Sequence, residues 1–257
     1  MNMFTVSSSM AFRLARIFCV IVILVSLTGC PEDATKTEEQ LQDAYQAALA
    51  DAAVVEPSEI SHNLTAITTD NTDLIWDNSG AEPRVLMVSW TSYAGYDASV
   101  GQSTVLSRDV WVVPAPEIQE FYRLNKCRIA DPVLRMEQLL GLPPHIGKTR
   151  FVEFFARPAD LFRPSPDPEI TDNEAELDFP SVLGYLIVTD EYVTWFNTLK
   201  ASSYGENGYP WTRLGYTYDW GSRTTEIGLS EFVIRAGATV RVGRVMFNED
   251  YLSSEAP

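Results

Sequence analysis

The spacing of apolar residues between positions 37 and 57 predicts a short amphipathic helix. Thr37 and Gln40 have the spacing of a capping box, and Pro57 ends the apolar run. The residues at helical spacing are Leu41, Tyr45, Ala48, Leu49 and Ala52. Because this apolar stripe is narrow, we expect the helix either to dock on a neighbouring domain or to fray.

From about residue 61 the pattern changes to short runs rich in β-branched and aromatic residues, which predict strands. The predicted strands are residues 64–69, 74–76, 84–91, 109–113, 149–156, 182–188, 213–220, 231–236 and 238–246. Asn78-Ser79-Gly80 lies between the second and third runs and predicts a hairpin. The Pro-rich stretch from 158 to 168 predicts an extended loop with little sheet pairing.

Start signals predict two helices in the middle of the chain. Pro116 fits the first turn of a helix over 117–125. Asp131 and Pro132 have the types expected at the N-cap and first position of a helix over 133–140.

A further helix is predicted to begin after Thr189 and to continue to about residue 203. Strands, two helices, a strand, a helix and strands again favour an α+β fold with a mainly antiparallel sheet. We therefore expect one compact domain over residues 61–257 with about three helices. A helical tether over residues 30–60 precedes it.

The first 30 residues have the pattern of an export signal. Arg13 and Arg16 precede an apolar run over 17–27, and no acidic residue occurs before position 32. A membrane-spanning helix needs about 20 apolar residues, and this run is too short for that role. A cleaved signal peptide over residues 1–29 is expected instead.

The end of the apolar run, Leu27-Thr28-Gly29-Cys30, resembles the lipobox of bacterial lipoproteins. The resemblance implies that Cys30 becomes the first residue of the mature chain and carries a diacylglyceryl thioether. The membrane is then a partner through this lipid, because two or three acyl chains hold a domain durably. Pro31 is not the aspartate that favours the inner membrane in familiar Gram-negative bacteria, so the resemblance favours the periplasmic side of the outer membrane.

The chain is strongly acidic, and this excludes one class of partner. It has a formal charge of −16, and loss of residues 1–29 removes two arginines and no acid, which leaves a charge of −18. Nucleic-acid binding needs clustered lysine and arginine, so no nucleic acid is expected as a partner. Cys127 would be the one cysteine without lipid in the mature chain, and we expect it in the core.

An aromatic segment over residues 209–220 is the strongest candidate for ligand binding. In a strand, Tyr216, Tyr218 and Trp220 would share one face, and such a row of rings can stack on sugars or anchor a protein. Packing in an ordinary core is the competing interpretation. The candidate ligand-binding residues are Trp211, Arg213, Tyr216, Tyr218 and Trp220.

An acidic stretch over residues 167–178 raises the question of a metal. Its acids and amide are Asp167, Glu169, Asp172, Asn173, Glu174, Glu176 and Asp178. Oxygen ligands at this density suit Ca²⁺, but the spacing is not that of a helix–loop–helix calcium site. We expect a solvated loop and assign no metal and no cofactor.

No catalytic motif is recognisable in the sequence, and we assign no catalytic residue. The leading hypothesis is a non-catalytic envelope lipoprotein that binds a glycan or another envelope protein. The alternative is an envelope hydrolase acting on peptidoglycan or polysaccharide through paired carboxylates such as Asp219 and Glu231. A cleft with two carboxyls about 5 to 9.5 Å apart would favour the hydrolase, and an exposed aromatic shelf would favour binding.

Overall fold

The computed structural model describes residues 36–180 and 188–255. The predicted signal peptide, Cys30 and all but the last residue of the predicted strand at 182–188 lie outside the described residues. The helices are α1 (Glu38–Ala52), α2 (Ala115–Asn125), α3 (Pro132–Leu139), α4 (Asp190–Ser203) and α5 (Asn248–Ser253). Three short 3-10 helices cover Pro57–Glu59, Ala94–Ser99 and Pro158–Asp160.

The strands form one large antiparallel sheet and one small hairpin. They are β1 (Trp76–Asp77), β2 (Arg84–Thr91), β3 (Ser103–Val105), β4 (Val110–Pro114), β5 (Arg150–Ala156), β6 (Leu161–Phe162), β7 (Tyr216–Tyr218), β8 (Ile227–Ser230), β9 (Phe232–Ile234) and β10 (Thr239–Phe247). The order in the large sheet is β3-β10-β5-β2-β4-β9-β6, with β1 paired to β2, and β7 pairs with β8. The α+β prediction is confirmed.

The large sheet is curled, because strands β9 and β10 are far apart in its order but are joined by a short connection. Three strands separate β9 from β10, yet the two are joined by a tight turn in which the Ala238 N–H donates to the Arg235 carbonyl at 3.1 Å. Gly237 occupies this turn with φ 84°, a conformation that favours glycine. The concave face encloses a core that includes Val85, Met87, Phe154, Phe232 and Val240.

The convex face is covered by α2, α3 and α5. Their apolar residues pack with Leu86, Val88 and Trp90 of β2. The ring of Tyr251 on α5 stacks on Phe151 with centroids 4.4 Å apart. Helix α5 was not predicted, since six residues are too few for a visible helical period.

The capped helices confirm their predictions. Thr37 and Gln40 form a reciprocal capping box at the start of α1. Asp131 accepts hydrogen bonds from the second and third N–H groups of α3, and the Thr189 side chain caps α4. The predicted hairpin is also present, as β1 and β2 pair across Asn78-Ser79-Gly80.

Two predicted strands differ from the structure. Residues 64–69 form no regular strand, although Leu64 and Ile67 donate main-chain hydrogen bonds to Asn173 and Ile170. The strand predicted at 213–220 is only β7, because Arg213 and Gly215 have φ of 62° and 72° and break the extended backbone.

The prediction that Cys127 lies in the core is wrong. Cys127 is exposed, because it lies just after helix α2, which ends at Asn125. Among the helices of the described residues, none has the length and apolar character required to span a bilayer.

Candidate functional site

A cavity of about 610 Å³ lies where β2 and β4 separate. The two strands pair only through Met87–Pro114 and Val88–Val113. Beyond these pairs, residues 89–91 of β2 and 110–112 of β4 line opposite parts of the cavity. The split therefore exposes the edges of two central strands inside the domain.

The register shows which main-chain groups face the split. The Thr91 carbonyl accepts a hydrogen bond from the Thr149 N–H, on the β5 side of β2. Because main-chain groups alternate in direction along a strand, the N–H and C=O groups of Val88 and Trp90 point toward β4. The N–H of Arg235, the residue after β9, donates to the Asp160 carbonyl on the β6 side. The main-chain groups of β9 that point the other way therefore bond to Val110 and Val112 of β4. Trp111 is then the residue that faces Trp90, and neither has a ladder partner there within the described chain.

Aromatic and aliphatic side chains make up just over half of the cavity wall. Those from well-separated parts of the chain include Trp90, Trp111, Ile118, Leu142, Leu199 and Trp211. Tyr93, Val105 and Tyr209 also line the cavity and are 59%, 63% and 46% exposed. Because they are both exposed and cavity-lining, these three residues form an apolar rim.

Glu231 is the carboxyl of this wall that has no partner. It precedes β9 and lies on the same face as Val233, across from Val113 and next to Trp111 in the register of β4 and β9. Its side chain forms no hydrogen bond or ion pair within the described part of the chain. Burial alone raises its pKa to about 8.

Lys148 is a second unpartnered charged group of the wall. Its side chain has no ion pair among residues 36–180 and 188–255, and burial lowers its pKa. It precedes Thr149, whose N–H donates to the Thr91 carbonyl at 3.1 Å. Thr91 pairs with Arg150, so Lys148 lies about five residues beyond the level of Val88, which Glu231 shares. The two charged groups are therefore separated by about 16 Å along the strand direction.

The other charged residues of the wall do not compete with Glu231 for a ligand. Both oxygens of Asp109 are engaged, one by the Trp195 ring N–H at 2.9 Å and one by the Ala236 main-chain N–H at 2.8 Å. Arg108 also lines the cavity and is exposed. Glu231 is therefore the carboxyl of the wall that has no partner within the described residues.

The structure does not provide the exposed aromatic shelf expected at residues 209–220. Trp211, Tyr216 and Trp220 are 5%, 1% and 7% exposed, and Arg213 is 8% exposed. Packing, the competing interpretation, accounts for most of their surface. Of the five candidate residues, the cavity brings together only Trp211 and Tyr218.

The partner that covers much of this segment is the chain's own helix α1. The Tyr45 ring meets the Trp220 ring edge to face at 5.8 Å, and its hydroxyl donates to the Gly208 carbonyl at 2.8 Å. Arg213 donates to the carbonyls of Ala52 and Ala53, and so caps the end of α1. The tether helix therefore docks on the domain.

The acidic stretch is also more buried than predicted, because it surrounds an arginine. Arg163 is fully buried and pairs with Asp172 at 3.0 Å. Ligand oxygens of Asp167, Asp172 and Glu176 lie within 4.8 Å of one another, and burial with the neighbouring Asp167 raises the pKa of Glu176 to about 7. The guanidinium of Arg163 supplies a positive charge that offsets the repulsion between these carboxylates.

The two carboxylates of the hydrolase alternative do not share the cavity. Asp219 accepts two hydrogen bonds from Arg135, at 2.8 and 2.6 Å, and it does not line the cavity wall. Glu117 is another acid with a raised pKa, about 7 through burial, but its carboxylate binds the Thr65 hydroxyl and the Ser230 N–H. Neither acid is available to pair with Glu231.

The cavity itself was not predicted, because its wall combines residues from 88 to 231 that only the sheet pairing brings together. Glu231 was singled out as one half of a pair, whereas Lys148, Trp90 and Trp111 gave no local signal. No protein-family model, curated protein or solved structure matches this chain.

Proposed function

We propose that this chain is a membrane-anchored lipoprotein of the bacterial envelope whose domain binds a small, mainly apolar ligand without transforming it. The single observation that carries the binding role is the cavity between β2 and β4. Its volume of about 610 Å³ is in the range of small-molecule sites. Its wall combines aromatic and aliphatic surface with polar side chains, among them the unpartnered Glu231 and Lys148, and such sites use a few polar groups to orient an apolar ligand.

The apolar rim supports entry of an apolar molecule. Tyr93, Val105 and Tyr209 are large exposed side chains that also line the cavity. Isolated exposed apolar residues need no explanation, but grouped ones mark binding sites. We therefore favour a ligand with an apolar body over the glycan or protein partner that the aromatic segment alone predicts.

The anchor rests on the lipobox-like segment ending at Cys30. Seven residues separate Cys30 from the start of α1 at Glu38. Even a fully extended chain of this length reaches no more than about 28 Å. A lipid on Cys30 would therefore hold the cavity close to a membrane, from which an apolar ligand can be taken or to which it can be delivered.

The non-catalytic role is favoured over hydrolysis because the other carboxylate of the cavity wall, Asp109, has both oxygens engaged by N–H donors. The nearest expected partner, Asp219, is neutralised by Arg135. A single carboxyl beside an apolar wall can bind a ligand, but glycoside hydrolysis by the two-carboxylate mechanism needs a second acid.

Displacement of an environment-sensitive dye tests the binding role. The protein is the mature chain from residue 30 with Cys30→Ser, because without lipid it needs no detergent that would compete for the cavity. We expect dye binding that octanol displaces, and we expect Trp111→Ala to weaken it at least about ten-fold, which corresponds to about 1.4 kcal/mol. Binding that is unchanged in Trp111→Ala and in Trp211→Ala would contradict the proposal.

A further inference from the structure

An unpartnered carboxyl in an aromatic cavity is the feature that the proposed function leaves unexplained. Glu231 is half-buried in the cavity wall, and its carboxyl has no hydrogen-bonding or charged partner within the described residues. Removing a carboxylate from water costs free energy unless a partner replaces the water. It directly precedes β9, and its side chain lines the cavity on the face of the sheet that carries Val233. Because residues 36–180 and 188–255 supply no partner, we expect a ligand to supply it.

From this geometry we infer that the ligand is an organic cation, with its positive group against Glu231 and its apolar body against Trp111 and Trp211. The inference rests on the proposed binding role of the cavity and names the chemical class of its ligand. An ammonium group satisfies the carboxyl by a charge-assisted hydrogen bond. Aromatic rings add attraction, because a cation over an indole face interacts with the ring quadrupole.

The register brings these groups together on one side of the split. Trp111 lies across from Val233 on β9, and Glu231 is two residues before Val233 on the same face. The ring of Trp111 meets that of Trp211 edge to face at 6.2 Å. The indole N–H of Trp211 is already bonded to the Pro164 carbonyl at 3.1 Å, so its ring is held in place.

An anionic ligand paired with Lys148 is the competing possibility. Lys148 reaches the cavity on a long flexible side chain, and lysines of this kind can place their ammonium in water. Glu231 lies beside Trp111 in the register of β4 and β9, where an indole ring adds attraction for a cation. The geometry therefore favours the cation.

Three probes with one chain length test the inference: octylammonium, octanol and octanoate. Each is titrated calorimetrically at neutral pH into the mature chain with Cys30→Ser. We expect octylammonium to bind at least about ten-fold more tightly than octanol, the ratio that about 1.4 kcal/mol gives. In Glu231→Gln this advantage falls to less than about two-fold, whereas the affinity for octanol stays within about two-fold.

The control is Glu206→Gln, which removes the same charge from an exposed position. It matters because an acidic surface attracts any cation, so only the loss that is specific to Glu231→Gln supports the inference. An octylammonium advantage that is absent from the wild-type chain, or that survives Glu231→Gln, overturns it. Preference for octanoate also overturns it and leaves the binding cavity in place, whereas failure of all three probes to bind defeats the proposed function itself.

Discussion

At the residue scale, Glu231 links the cavity to the stability of the fold. Its folded-state pKa of about 8 lies above the ordinary value of 4.5, so the folded chain holds this proton more tightly than the unfolded chain. The resulting contribution to stability is complete below about pH 4.5 and is lost as the pH rises toward 8. Glutamine has no proton to lose.

We therefore predict that Glu231→Gln matches the wild-type chain at pH 4.5 and exceeds its free energy of unfolding at pH 9. The gain should be on the order of 2 kcal/mol, since each pKa unit corresponds to about 1.4 kcal/mol and solvent in the cavity relieves part of the shift. Urea unfolding at the two pH values measures it. Glu206→Gln should show no such pH-dependent difference, and a gain of equal size at pH 4.5 would refute the assignment.

Arg213 is the residue that fastens the tether helix. Its guanidinium donates to the carbonyls of Ala52 and Ala53 at 3.1 and 3.0 Å and lies over the Tyr204 ring at 5.3 Å. Arg213→Met should lower the free energy of unfolding by about 1 to 3 kcal/mol, because two charge-assisted hydrogen bonds are lost. Arg123→Met, at an exposed pair, should change it by less than about 0.5 kcal/mol, and equal effects in urea titrations would contradict the capping role.

At the element scale, α1 depends on docking rather than on its own propensity. A helix of 15 residues is marginal in water, and α1 has one buried stripe with Tyr45 at its centre. We predict that Tyr45→Ala releases the helix, so that its amide hydrogens exchange at least about ten-fold faster while those of β5 and β10 do not change. Gln46→Ala, on the exposed face of α1, should leave the exchange unchanged.

The same scale separates what the sequence could predict from what it could not. Helices with local caps at Thr37, Asp131 and Thr189 were predictable, because the capping chemistry is contained in a few neighbouring residues. The strand over 213–220 was not, since the positive φ of Arg213 has no local signature in that residue type. The cavity depends on pairing between distant strands, and periodicity carries no information about which strands pair.

At the scale of the whole molecule, lipidation of Cys30 remains a prediction, and separating cells into membrane and soluble fractions tests it. Cys30→Ser should move the chain from the membrane fraction to the soluble fraction, because the acyl chains supply the attachment and an acidic domain adds none. The matched control is Cys127→Ser, which removes an exposed thiol and should leave the chain in the membrane fraction. Membrane retention in both variants would exclude the lipidation of Cys30.

The split beside the cavity also determines how the two halves of the sheet are held together. Only two residue pairs form the seam between β2 and β4, and one of them contains Pro114, which has no N–H to donate. A molecule seated there touches both halves of the sheet and adds contacts across this short join. The occupied domain should therefore melt at a higher temperature as ligand concentration rises, and the seam should be the first part of the empty domain to open.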